Sequence, residues 1–236
     1  MSIEIQVVDN PAQVCAQMLS AAAATGEDLV LTGGSSPQQA YALAATDSPQ
    51  SWAGAKLWFS DDRCVPADHE LSNFGMVKRS LLDPLTAAGV EVEYCRRILG
   101  ERGPEEGALE YERELEHVGG GPGAIRFGLV LLGVGSDAHI CSMFPGQDSL
   151  HERSRLAVGV PVAGLEPFVP RVTLTFPALS RANRVLVLAT GAGKADAICA
   201  AFAEDAPSTP EVPASLLKEH VEEIIVLLDD EAASRL

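Results

Sequence analysis

The 236-residue sequence predicts an α/β fold: three layers, with a mostly parallel central sheet between helices. Two observations lead there. Segments of strand character alternate with segments of helical period along most of the chain. Several of the strands, "FGLVLL" and "RVLVLA" among them, are apolar without alternation, the pattern of strands covered on both faces.

The elements follow in order. "IEIQVV" reads as a strand, after which Asn10 and Pro11 open an alanine-rich helix running to about Ala24. "DLVLTGG" is a short apolar strand ending in glycines, and Ser35-Ser36-Pro37 starts the next helix with cap residues ahead of a first-turn proline. "KLWFSDDR" reads as one strand ending in charge. "SNFGMVKRSLLDPL" has helical spacing with Ser72 or Asn73 as its cap. "PEEGALEYERELEHV" is a helix with acids in its first turn, where the helix dipole favours them. After the loop "GGGPGA" come the strand "IRFGLVLLGVG", the strands "RLAVGVPV" and "RVTLTFPAL", and "NRVLVLATG" feeding the helix "GKADAICAAFA". "EEIIVLLD" is the last strand. The glycine loop is short and flanked by strands of similar character, so residues 1–236 are expected to form a single domain.

Composition narrows the partners. A net charge of −16 argues against nucleic acid, whose phosphates would be repelled over most of the surface. An anionic ligand must then be held by a local cluster of basic groups. The five cysteines are odd in number and scattered, and "MSIEIQVVDN" lacks the basic and apolar regions of a signal peptide. No apolar run approaches the ~20 residues of a membrane span. A cytoplasmic protein without membrane partners is expected, as a monomer or small homo-oligomer.

In open parallel sheets ligands bind beyond the carboxyl ends of the strands, and four such ends are polar or glycine-rich. "TGGSSP" is either a phosphate cradle of helix-start amides and two hydroxyls or a tight turn with an ordinary cap. In "SDDRCVP", Arg63 can fork onto a phosphate or carboxylate with Asp61 or Asp62 orienting it, or it forms a surface ion pair. "GVGSDAH" fits G-x-G-x-x-A, but the long helix a dinucleotide needs is cut short by Pro145-Gly146. Asp137, His139 and Cys141 lack a fourth metal ligand at a familiar spacing. What remains is His139 as a general base beside Asp137. "TGAGKAD" is not a Walker loop, since Leu188 and Ala195 stand at its diagnostic positions, yet Lys194 can serve as a point charge or lie in solvent. Together these ends suggest a small phosphorylated substrate and acid–base chemistry without metal or nucleotide.

The blocks "LVLTGGSSP", "WFSDDRCVPADHELSNFGMVKRSLL", "FGLVLLGVGSDAHICSMFPG", "PRVTLTFPALSRANRVLVLATGAGKAD" and "VPASLL" occur in the order seen in the 6-phosphogluconolactonases, which the chain resembles from about residue 28 to residue 217. The resemblance implies a Rossmann-like fold shared with sugar-phosphate isomerases and glucosamine-6-phosphate deaminases. It also implies cofactor-free hydrolysis of 6-phosphoglucono-1,5-lactone in the oxidative pentose phosphate pathway. By position, Gly33, Gly34, Ser35 and Ser36 would hold the phosphate with Arg63 and Lys194, and His139 would be the base. Asp137 would set the tautomer of His139, and Arg171 is a further candidate for substrate contact. The chain departs from the family twice. Asp62 replaces the glutamate of Asp-Glu-Arg, and Ala138 replaces the glycine of Asp-Gly-His. If that glycine has positive φ, an alanine costs about 1–2 kcal/mol there, unless the loop shifts. Two rivals are a deaminase or isomerase of the same fold and a non-catalytic sugar-phosphate sensor. The deaminases' Asn-Glu-Pro is replaced here by Phe144-Pro145-Gly146, and no basic DNA-binding segment is present.

Overall fold

The computed structural model of the chain describes residues 2–118, 121 and 124–236. Its strands are β1 (Ser2–Val7), β2 (Asp28–Leu31), β3 (Lys56–Phe59), β4 (Asp61–Arg63), β5 (Tyr94–Cys95), β6 (Phe127–Leu132), β7 (Ala157–Val160), β8 (Arg171–Leu174), β9 (Val185–Ala189) and β10 (Glu223–Leu228). Its α-helices are α1 (Pro11–Ala24), α2 (Ser35–Asp47), α3 (Asn73–Val77), α4 (Asp83–Ala87), α5 (Pro104–Val118), α6 (Phe176–Leu179), α7 (Ala195–Phe202), α8 (Leu217–His220) and α9 (Asp230–Ala233). Most of the glycine loop expected after α5 lies outside the described residues.

Seven strands form one parallel sheet in the order β1-β10-β9-β6-β2-β3-β5. The α/β, Rossmann-like expectation is met: β6 and β9 are buried along their whole length, and helices cover the sheet. The direction of winding changes between β2 and β6, so their carboxyl ends open a crevice between them. α1 shows why its sequence is helical. Asn10 Oδ1 accepts from Gln13 N (3.1 Å), Pro11 occupies the first turn, and Ala12, Cys15, Ala16, Leu19, Ala22 and Ala23 recur on one buried face. Among the described residues no helix is long and apolar enough to cross a membrane.

Three expectations are corrected. "KLWFSDDR" is two strands, because the chain changes sheet at Ser60. The Ser60 N–H donates to Leu31 O of the large sheet (2.8 Å), while its carbonyl accepts from Leu174 N (2.8 Å). β4 thereby joins β8 and β7 in a small antiparallel sheet. "RVTLTFPAL" stops being a strand at Leu174, since Pro177 cannot donate to a ladder and instead fits the first turn of α6. "SNFGMVKRSLLDPL" is helical but passes through a π turn over residues 78–82, which loosens the ladder just ahead of Pro84. The two-residue edge strand β5 was too short to announce itself in the sequence.

Two buried tyrosines complete the backbone pairing where strands run out. Tyr111 Oη accepts from Phe59 N (2.8 Å) and donates to Phe59 O (2.9 Å) at the end of β3. Tyr41 Oη does the same for Thr32, accepting from its N–H and donating to its carbonyl, both at 2.9 Å. Thr32 immediately precedes the glycine pair, so α2 fixes through Tyr41 the loop that leads into α2. Tyr41→Phe leaves a buried amide and a buried carbonyl without that hydroxyl, and the expected loss is about 2–3 kcal/mol of unfolding free energy in urea titrations.

Candidate active site

The crevice at the switch point is a cleft of about 270 Å³. It is lined by Gly33, Gly34, Ser35 and Ser36 beyond β2, by Arg63 from β4, by His139 beyond β6, by Arg171 from β8 and by Lys194 beyond β9. All eight of these sequence-derived candidates meet there. Asp137 stands behind the lining, bonded to His139.

His139 is positioned from several directions. Its Nδ1 lies 2.6 Å from Asp137 Oδ1, and its backbone N–H donates to the same oxygen (3.2 Å). The loop closes on itself through Gly135 N→His139 O (2.9 Å) and Ala138 N→Gly135 O (3.0 Å). Ala214 N donates to Ala138 O (3.0 Å), which ties the "VPASLL" segment to the back of the loop. The Phe144 ring packs on the imidazole with centroids 4.5 Å apart. The second glycine of "GVG" is explained by this packing rather than by a nucleotide. A Cβ on Gly135 would fall 2.1 Å from His139 Nδ1 and 2.4 Å from Asp137 Oδ1.

Burial by itself would raise the Asp137 carboxyl, but the hydrogen bonds and charge of His139 outweigh it and hold the group below its ordinary value. An ionised acceptor at Nδ1 makes that nitrogen the donor and leaves Nε2 as the basic one. The sign of the linkage follows. This pair contributes stability above the ordinary carboxylate range and loses it as pH falls through the depressed value of Asp137.

The cationic side of the cleft is built across the small sheet. Arg63 and Arg171 are direct partners in the β4–β8 register, an arrangement of like charges that costs stability unless something offsets it. Arg171 is 3 % exposed and is aimed by its bonds to Val169 O (3.1 Å, from Nε) and Pro167 O (2.7 Å, from Nη2). Burial, with the neighbouring Arg63 charge, pushes its guanidinium below the usual value; Asp61 and Asp62 pull the other way. Arg63 Nη1 donates to Leu71 O (2.7 Å), while its buried Nε has no hydrogen-bond partner among the described residues. That donor is unsatisfied in a cleft suited to an anion.

The opposite wall is a helix start. Gly34, at φ +115°, caps α2 without a side-chain bond to the first-turn amides, so these are left for a ligand. Ser36 Oγ lies 2.6 Å from Thr190 Oγ1, joining this loop to the one that carries Lys194. Asp229 holds that second loop by accepting from Gly191 N (2.9 Å) and Ala232 N (2.8 Å). Burial lowers the Lys194 ammonium, and the nearby Asp137 charge pulls it back up.

The two aspartates of β4 divide their work. Asp61 faces the cleft and accepts from Ser60 Oγ (2.9 Å), Ser142 Oγ (2.7 Å) and Asn73 Nδ2 (3.3 Å). Asp62 turns away from it, accepting from Arg63 N and Asn73 N (2.7 Å each), Phe74 N (3.0 Å) and Ser72 Oγ (3.3 Å). Burial raises the Asp62 carboxyl to about 6 against the pull of those three amides. Neither carboxylate forms an ion pair with Arg63 among the described residues. Asn73 and Thr190 were not singled out by sequence reasoning as cleft-lining groups, and Asp61, expected to orient Arg63, bonds Ser60, Ser142 and Asn73 instead; the polar cap "SNF" after "DDR" was the available signal for Asn73. Among the described residues no three His, Cys, Asp or Glu side chains converge as a metal-ligand set.

Ala138 has φ +63° and Cys141 φ +52°, so left-handed non-glycine residues stand on both sides of His139. Asp62 is not among the left-handed residues, whereas Ala138 is. Ala138→Gly removes about 1–2 kcal/mol of backbone strain and adds a smaller cost in the unfolded chain. The expected net gain is about 0.5–1 kcal/mol by urea denaturation, and unchanged or lower stability would show that the loop carries no such strain.

Residues 4–226 match the family described as glucosamine-6-phosphate isomerases/6-phosphogluconolactonase. The chain is 37 % identical over 195 residues to the 6-phosphogluconolactonase of Homo sapiens, covering 83 % of this chain and 73 % of that protein. It is 32 % identical over 223 residues to the 6-phosphogluconolactonase of Mycobacterium tuberculosis, covering 92 % and 88 %. The solved structure of the 6-phosphogluconolactonase from Trypanosoma cruzi superposes with a TM-score of 0.83 at 26 % identity, covering 100 % of this chain and 97 % of the other.

Proposed function

The chain belongs to the glucosamine-6-phosphate isomerase/6-phosphogluconolactonase family, and from that membership we propose that it hydrolyses 6-phospho-D-glucono-1,5-lactone to 6-phosphogluconate. The observation that carries the proposal is the His139–Asp137 pair, with Nδ1 engaged at 2.6 Å, on the wall of a cleft that also holds three cationic side chains and an open helix start.

The residues act as follows. The first-turn amides and hydroxyls of Gly33 to Ser36 hold the substrate phosphate with Arg63 and Lys194, which places the lactone carbonyl near His139. Nε2 takes a proton from water as its oxygen attacks C1. The tetrahedral intermediate then expels the ring oxygen, which receives that proton from the imidazolium. The C1–O bond of the ring breaks, a C1–OH bond forms, and the acid ionises to the product carboxylate. Asp137 keeps Nδ1 as the donor throughout and stabilises the imidazolium. Arg171 contacts the substrate from the small sheet. No cofactor takes part. Phe144-Pro145-Gly146, standing where a deaminase has Asn-Glu-Pro, supplies no acid, and Phe144 packs on the imidazole instead, which favours the lactonase. The enzyme works as one domain, and its five free thiols suit the reducing cytoplasm where we place it.

Lactone opening, with the spontaneous rate subtracted, tests the assignment. His139→Ala is expected to lower kcat by roughly 10²–10⁴-fold while leaving 6-phosphogluconate binding within a few-fold. A native protein that binds 6-phosphogluconate without accelerating lactone opening overturns the reading in favour of a sensor. Gly135→Ala, which inserts a methyl where the His–Asp pair packs, is expected to cost about 10²-fold in kcat with the fold retained by circular dichroism. Lys194→Ala is expected to raise KM more than it lowers kcat, because phosphate binding is shared by ground and transition states.

A further inference from the structure

β1 is an edge of the large sheet, paired on one side with β10. Ser2 N donates to Glu222 O (2.7 Å) and Val8 N to Leu228 O (2.9 Å). Successive residues of a strand point their N–H and C=O to opposite sides. The even-numbered residues of β1 therefore serve β10, and the amides and carbonyls of Ile3, Ile5 and Val7 point outward, where no strand among the described residues meets them. The side chains of Ile5 and Val7 are 39 % and 45 % exposed, among the more exposed large apolar groups of the chain. Open apolar edges are ordinarily blunted by charged side chains, lysine above all, by proline or by a bulge; β1 (SIEIQV) has no lysine, proline or bulge, and Glu4 is its one charge.

We propose that this edge pairs with the β1 of a second copy of the chain, antiparallel about a two-fold axis at Ile5, so that one sheet runs through both protomers. The sequence of β1 is its own complement in that register. Ile5 opposes Ile5 of the second copy, Ile3 opposes Val7, and Glu4 opposes Gln6. The outward-pointing residues then meet as hydrogen-bonded pairs, each exchanging two main-chain bonds. The apolar side chains fall together on one face. On the other face each Glu4 carboxylate meets the Gln6 amide of the other copy, the same chemistry as the Gln6 Nε2→Glu4 Oε1 bond (2.8 Å) within β1. The neighbouring registers are poorer. An axis at Glu4 sets two carboxylates face to face, and an axis at Gln6 leaves Ile3 unpaired; each loses a hydrogen-bonded pair. Like charges opposed across strands destabilise a sheet, so one register is selected. A two-fold contact of this kind closes at the dimer. The cleft lies three strands away, about 14 Å at the usual spacing, so dimerisation leaves it open.

Analytical ultracentrifugation of the whole protein from low to about 100 µM is expected to show a monomer–dimer equilibrium. Ile5→Lys should raise its dissociation constant at least about tenfold by placing two ammonium groups on the axis, with lactone hydrolysis per chain unchanged. A second measurement fixes the register. Hydrogen-bonded antiparallel partners have Cα atoms about 5.5 Å apart, within disulfide range, so Ile5→Cys should cross-link through its N-terminal peptide under mild oxidation and Glu4→Cys should not. A protein that stays monomeric throughout, or a dimer that Ile5→Lys does not weaken, overturns the proposal. So does a dimer in which Glu4→Cys cross-links and Ile5→Cys does not.

Discussion

Ser60 gives its N–H to one sheet and its carbonyl to another, and this division turns an open sheet into a cleft. A parallel sheet wound in both directions supplies a crevice at its switch point but no roof. By leaving β3 and continuing as β4, the chain carries Asp61, Asp62 and Arg63 over the carboxyl ends of β2 and β6. There β8 brings Arg171 opposite Arg63. The polar groups created by the change of sheet are satisfied within it. Asp61 collects Ser60, Ser142 and Asn73, and Ser142 N donates to Thr173 Oγ1 (3.0 Å), so the histidine loop is fastened to the small sheet by the same carboxylate network. A buried carboxylate with its acceptor sites filled is tolerable and rigid.

The charge balance of the site follows from its isolation. With 33 acidic against 17 basic residues, the chain as a whole repels an anion, and three cations with an open helix start must overcome that locally. Placing Arg63 against Arg171 is unfavourable unless a negative charge offsets it. Their aim is set by backbone carbonyls at Leu71, Val169 and Pro167 rather than by carboxylates. Carbonyls orient a guanidinium without neutralising it.

The large sheet was readable because uninterrupted apolar runs such as "FGLVLL" have few other uses, and because glycine and hydroxyl residues mark where strands end. Most candidate residues were found as strand ends, a rule of topology that needs no side-chain geometry; Arg171, which begins β8, came only from the family resemblance. What the sequence did not disclose is cooperative. Nothing in "KLWFSDDR" says that one N–H and one carbonyl of Ser60 face different sheets. Nothing in "SNF" says that Asp62 will receive the first amides of α3 while Asp61 keeps the cleft. Such facts depend on partners more than ten residues away.

The short loop that carries His139 can now be understood as a consequence of its contacts. A helix after β6 would need right-handed residues at 138 and 141, and the structure has left-handed ones at both. The turn they make brings the His139 carbonyl back to Gly135 N and folds Asp137 under the ring. Besides the left-handed Cys141, two positions nearer the ring must therefore be small or permissive: Gly135, against which the pair packs, and residue 138. The first is glycine, and the second is an alanine whose carbonyl is held by Ala214 N. The hydrogen bonds on either side over-determine the loop, which lets it keep a strained backbone at the residue before His139. On this reading the left-handed alanine at 138 costs stability while the position of His139 is preserved.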